Sequence, residues 1–148
     1  MNSDRIEKMI TLKAPISRVW KALSDHREFG AWFRVDLEGP FVVGKTSRGR
    51  VTYPGYEHVV WEAEVKAMET ERLFAFSWHP GAADPDFDYS GEPATLVEFR
   101  LEARGEETLL TLTESGFDRL PAARRDEAFR LNDGGWTEQM KNIEAHVG

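Results

Sequence analysis

Residues 39–46, Gly-Pro-Phe-Val-Val-Gly-Lys-Thr, match the phosphate-binding P-loop pattern letter for letter. That pattern works when a strand leads into the loop and a helix leaves it, so that free amides and the helix dipole meet the phosphate. Thr46 is succeeded by Ser-Arg-Gly-Arg-Val-Thr-Tyr-Pro-Gly, poor helix material, and Phe41-Val42-Val43 has the content of a strand between two turn glycines. Strand and turn are therefore expected here rather than nucleotide binding. Asp84, Asp86 and Asp88 have the alternate spacing that begins a calcium loop, but Tyr89 replaces the turn glycine and Thr95 stands where the bidentate Glu belongs. A solvated acidic loop is the simpler expectation. His26, His58, His79 and His146 are dispersed, with no His-Glu-x-x-His motif. His58 and His79 each neighbour an aromatic strand, where an imidazole could orient a ligand or move a proton. Glu114 shares a strand face with Leu110 and Leu112; if that face looks inward, its carboxylate stands at the mouth of the interior, with Arg48 or Arg50 as candidate partners, and otherwise it makes a surface ion pair. The chain has no cysteine, which removes thiol catalysis and disulfides, and no Gly-x-Ser-x-Gly elbow supports a serine hydrolase.

These side chains must be positioned by elements that the hydrophobic period reveals. Ile6, Ile10 and Leu12 alternate with polar residues as in a strand, with Lys8 interrupting the face. Pro15 suits the first helical position, and Ile16, Val19, Trp20 and Leu23 fall on one face of the helix it opens. Asp25 with Glu28 three residues later resembles a capping box for a second short helix carrying Phe29, Trp32 and Phe33. From residue 35 to 104 the period changes to two. Trp61, Ala63, Val65 and Ala67 share one face, as do Phe74, Phe76 and Trp78, and Val97, Phe99, Leu101 and Ala103. Gly105-Glu106 predicts a hairpin turn into a strand over 108–115, whose inward face the pattern leaves open, because Leu109 and Phe117 oppose Leu110 and Leu112. Residues 79–93 read as a long loop, a candidate lid. After Pro121 a helix places Phe129, Trp136, Met140, Ile143 and Val147 on one face, with Gly134-Gly135 at its middle implying a break or a close approach.

Composition sets the outer bounds. A chain of 148 residues with 41% apolar and 30% charged residues fits one globular domain, expected over 1–148. Its net charge of −7 and lack of a basic run argue against nucleic acid or an anionic membrane as partner. No signal peptide and no membrane span is legible, which makes a cytoplasmic location the expectation. Five Trp and nine Phe are generous for this length and must fill a core or line a pocket.

The order strand, two short helices, antiparallel strands, long helix fits an α+β helix-grip fold, a curved sheet wrapped around the C-terminal helix. Residues 10–23, ITLKAPISRVWKAL, resemble the opening of the START-like (SRPBCC) superfamily, in the branch similar to the C-terminal domain of the activator of heat-shock protein 90 ATPase. Trp32, the run 72–78 (RLFAFSW), the strand 97–101, residues 108–117 (TLLTLTESGF) and Gly135-Trp136 continue the resemblance in order. It implies an elongated apolar cavity between sheet and helix, without cofactor or shared catalytic constellation. Wall positions carried over are Trp32, Phe33, Trp61, Trp78, Phe99, Trp136 and Met140, with Arg48, Arg50, His58, His79 and Glu114 as candidate polar contacts. The expected function is binding of a hydrophobic or aromatic small molecule such as a lipid or polyketide. The alternatives are a chaperone-linked stress-response protein and a polyketide cyclase-like enzyme, the latter requiring those polar residues to converge.

Overall fold

The computed structural model describes residues 5–80 and 91–148, and within them β1 (Arg5–Leu12) leads to α1 (Ile16–Ser24) and α2 (His26–Phe33). Strands β2 (Val35–Leu37), β3 (Thr46–Val51), β4 (Val60–Glu69), β5 (Leu73–Trp78), β6 (Thr95–Arg104) and β7 (Glu107–Ser115) come next. A 3₁₀ turn at Phe117–Arg119 leads into α3 (Ala122–Val147). The strands form one antiparallel sheet ordered β1-β7-β6-β5-β4-β3-β2, so the first strand closes the far edge beside the last. This is the helix-grip architecture expected from the sequence.

Local chemistry explains most boundaries. Pro15 caps α1 with extended backbone, so the helix begins one position after the predicted start. Asp25 caps α2 by accepting from the Arg27 and Glu28 amides. Glu28 does not close the capping box; its carboxylate turns outward to Arg18 Nη1 at 2.5 Å and His146 Nε2 at 3.0 Å. With Arg18 also donating to the His146 carbonyl, this cluster clamps α1 and α2 to the end of α3. Gly105 takes a positive φ of 66° in the two-residue turn that pairs Arg104 with Glu107, the hairpin expected there. Residues 41–43 are a turn segment rather than a strand: Phe41 is buried in the core while Val42 and Val43 are exposed. Strand β3 comes directly after Lys45, so the phosphate-binding pattern lacks its helix.

The core lies between the concave sheet face and the helices. Lys8, which breaks the apolar face of β1, reaches Asp133 of α3 at 2.9 Å. On β4 the register shifts between Val65 and Ala67, a bulge that reverses the alternation. Met68 therefore packs against the core where the sequence period places Ala67. The face of β7 left open by the pattern is settled: Leu110, Leu112 and Glu114 are fully buried. Helix α3 runs unbroken through Gly134 and Gly135, and both glycines face open space, neither break nor close approach. A close approach occurs instead at Gly30, where an added Cβ would lie 2.3 Å from the Val35 carbonyl oxygen.

This packing can be tested at two residues. Gly30→Ala must push β2 away from α2, and urea unfolding should show a loss of about 1–3 kcal/mol, an overpacking cost. Glu28 is raised by burial, but hydrogen bonds from His146 and Arg18 and the charges of Arg18 and Lys21 outweigh that and hold its carboxyl below the ordinary 4.5. A lowered folded-state value means stability present above pH 4.5 and lost as pH falls through the depressed value. The stability difference between wild type and Glu28→Gln should thus shrink progressively as unfolding is measured from pH 6 down to about pH 3.

Candidate functional site

The inward face of β7 carries two leucines and then a carboxylate, and burial of that carboxylate organises the site. Glu114 pairs with Val97 of β6 and Ile6 of β1 in the sheet register, and its side chain has no solvent exposure. Such a group must be met by donors, since an unpaired buried carboxylate costs several kcal/mol. Four arrive: Trp78 Nε1 at 2.7 Å, Thr95 Oγ1 at 2.5 Å, Trp136 Nε1 at 2.8 Å and Asn132 Nδ2 at 3.0 and 3.1 Å from the two oxygens. Trp78 ends β5 and Thr95, its register partner, begins β6, while Asn132 and Trp136 lie one turn apart on α3. One carboxylate therefore ties three strands to the long helix. Two oxygens offer about four acceptor positions, and four neutral donors fill them.

Beside this hub the surface dips into a cleft of about 170 Å³ lined by Phe33, Trp78, Leu131, Asn132, Gly135, Trp136 and Gln139. Asn132, Gly135, Trp136 and Gln139 recur at i, i+3, i+4 and i+7, one stripe of α3. Gly135 keeps the stripe open, since no atom lies within 4 Å of where its Cβ would stand. Gln139 Nε2 donates to the Phe33 carbonyl at 3.0 Å, fixing the end of α2 against the helix. The Phe33, Trp78 and Trp136 rings touch one another, with centroids 5.7–6.1 Å apart. Both indole N–H groups are spent on Glu114, so neither is left to bond a molecule in the cleft.

Of the seven wall positions expected from sequence, Phe33, Trp78 and Trp136 meet around this cleft, while Trp32, Trp61, Phe99 and Met140 are buried in the packed core. Trp32 is locked there by donating to the Ala22 carbonyl at 2.8 Å. Around these four the rings pack against one another: Phe99, for example, touches Trp32, Phe74, Phe76 and Trp136. The candidate polar contacts separate. Glu114 lies inside, not in a surface ion pair, and its partners are not arginines. Arg48 lies on the outer sheet face, paired with Glu62 at 2.6 Å, and Arg50 reaches the Glu57 carbonyl beside exposed His58. The ring of His79 sits 3.1 Å from the Glu92 carbonyl, at the base of the candidate lid. Asp84, Asp86 and Asp88, with most of that candidate lid, lie outside the described residues. Among the described residues no three His, Asp or Glu side chains gather to hold a metal, and no helix is long and apolar enough to cross a membrane.

Sequence reasoning missed Leu131, Asn132, Gly135 and Gln139 as lining and Thr95 as a donor. Apolar periodicity does not register a polar stripe. The available signal was an imbalance: buried indole N–H groups need acceptors, and Glu114 is an acid on an inward strand face.

The family described as "Activator of Hsp90 ATPase homolog 1-like protein" matches residues 13–148. No curated protein matches the chain. Among solved structures, DynU16 of the dynemicin biosynthetic locus is similar at 23% identity and a TM-score of 0.74, over 97% of this chain and 47% of that one. The chain thus spans about half the length of DynU16. MLL2253 from Mesorhizobium loti is similar at 20% identity and a TM-score of 0.75, over 97% and 96% of the two chains. The Aha1 dimer from Colwellia psychrerythraea gives 17% identity and a TM-score of 0.72, over 97% and 95%. At these identities the structural likeness establishes the fold.

The hub makes a stability prediction. Glu114→Gln places an amide donor among four donors and should cost about 1–3 kcal/mol in urea unfolding, whereas Glu114→Leu, which strands all four, should cost more.

Proposed function

The chain belongs to the family of activator of Hsp90 ATPase homolog 1-like proteins, and on that footing we propose that it binds a hydrophobic or aromatic small molecule in the cleft between β5 and α3. The observation that carries this reading is the cleft itself: three aromatic side chains and Leu131 form its apolar wall, with Asn132 and Gln139 as polar edges. Such a few-polar, mainly apolar concavity is the ordinary form of a small-molecule site. Size narrows the ligand. An enclosed apolar cavity of about 150 Å³ holds benzene, and drug-sized ligands occupy roughly 300–1,000 Å³. A cleft of about 170 Å³ therefore seats one ring or a short branched alkyl group, with the rest of a larger ligand lying outside it.

A chaperone-linked role is a second reading. The family description supports it, and so does an exposed aromatic pair, Tyr53 and Tyr56, whose ring centroids are 5.9 Å apart, with Arg34 over the Tyr53 ring. Stimulation of the host chaperone's ATPase, lost on Tyr53→Ser with Tyr56→Ser, is its test; no stimulation by the wild type removes it. A cyclase-like role draws support from the likeness to a protein of a biosynthetic locus, but the acceptor positions of Glu114 are filled and Arg48, Arg50 and His58 face elsewhere.

Gly135→Leu tests the binding reading. The substitution fills the cleft from a helix position with free space, so stability should rise by about 0.5–1 kcal/mol from helix propensity. Binding of single-ring aromatics, monitored by amide and indole N–H shifts in NMR titrations, should fall at least about tenfold. Unchanged binding in the variant, or wild-type shifts that avoid Trp78 and Trp136, would sink the proposal.

A further inference from the structure

Behind the wall of the cleft lies a buried carboxylate, Glu114, with no cationic partner. All four groups that bond Glu114 are neutral: two indoles, a hydroxyl and an amide. Hydrogen bonds disperse the charge of a carboxylate without cancelling it, so a field of one sign extends into the low-dielectric space beside it. Three of the four donors, Trp78, Asn132 and Trp136, also line the cleft, which places that space directly over the hub.

The rings add to the same preference. An aromatic face is the negative part of its quadrupole, and Trp is the strongest such face toward a cation. An indole whose N–H donates to a carboxylate is polarised further, because the bond pushes electron density into the ring. Trp78 and Trp136 both make that bond, their centroids are 5.7 Å apart, and Phe33 completes a three-ring surface. No Lys or Arg lines the cleft. The net charge of −7 raises the local concentration of cations in the same sense.

From these observations we infer that the cleft selects an organic cation, an ammonium or quaternary ammonium head carried on an apolar body, over its neutral isostere. This deepens the small-molecule reading and rests on it. Rings supply the contact, and Glu114, acting through the two indoles and the amide that separate it from the cleft, supplies the sign.

The test compares phenyltrimethylammonium with tert-butylbenzene, which share shape and differ by one charge, with Trp78 and Trp136 indole N–H shifts as readout. Phenyltrimethylammonium should bind about tenfold more tightly, and the gap should narrow in 0.5 M salt. Glu114→Gln should bring the two affinities together. Because that variant weakens the hub, Glu138→Lys provides a second arm: Glu138 is exposed on α3, three positions from Gly135 and outside the lining of the cleft, so reversing its charge should weaken the cation and leave the neutral ligand within about twofold. Equal or tighter binding of tert-butylbenzene to the wild type would overturn the inference and leave the small-molecule reading standing. Binding of neither compound would overturn both.

Discussion

A carboxylate removed from water holds this molecule to its shape. Glu114 sits on the inward face of β7, and its desolvation is tolerable only while Trp78, Thr95, Asn132 and Trp136 all reach it. Those donors come from the end of β5, the start of β6 and two turns of α3, so the requirement fixes where the helix lies across the sheet and how it is rotated. Apolar packing alone is non-directional and would tolerate sliding of α3. Hydrogen-bond geometry does not.

The aromatic cluster works within that frame. Rings from α2, β4, β5, β6 and α3 interlock in edge-to-face and tilted pairs, as with Phe29 against Trp61 and Phe74, and Trp136 against Phe99. Beside these rings lies the cleft, where the missing side chain of Gly135 opens the helix and the two indoles that bond Glu114 form part of the wall. The site is thus a by-product of how the core is closed. Its polar chemistry belongs to the stability of the fold before it belongs to any ligand.

Much of this was legible in the residues. Period-two runs gave the central strands, Pro15 and Asp25 marked the helix starts to within one position, and Gly105 marked the final hairpin. The Phe and Trp faces of β5 and β6 pointed inward as alternation requires. Departures arose where a local pattern met a nonlocal demand. The bulge on β4 exchanged Ala67 for Met68, Glu28 left its capping role for Arg18 and His146, and the paired glycines of α3 proved to border open space.

Element types, antiparallel hairpins and the aromatic inventory could be read from the residues alone, because these depend on periodicity and on turn chemistry within a few positions. Folding in three dimensions was needed to choose which face of β7 looks inward, which three of six candidate rings line the cleft, and that Glu114 meets indoles and an amide rather than arginines. The reason is separation along the chain. Trp78, Thr95, Glu114 and Asn132 succeed one another at intervals of 17 to 19 positions and converge only when the sheet curls and α3 crosses it, a distance over which no local propensity carries information.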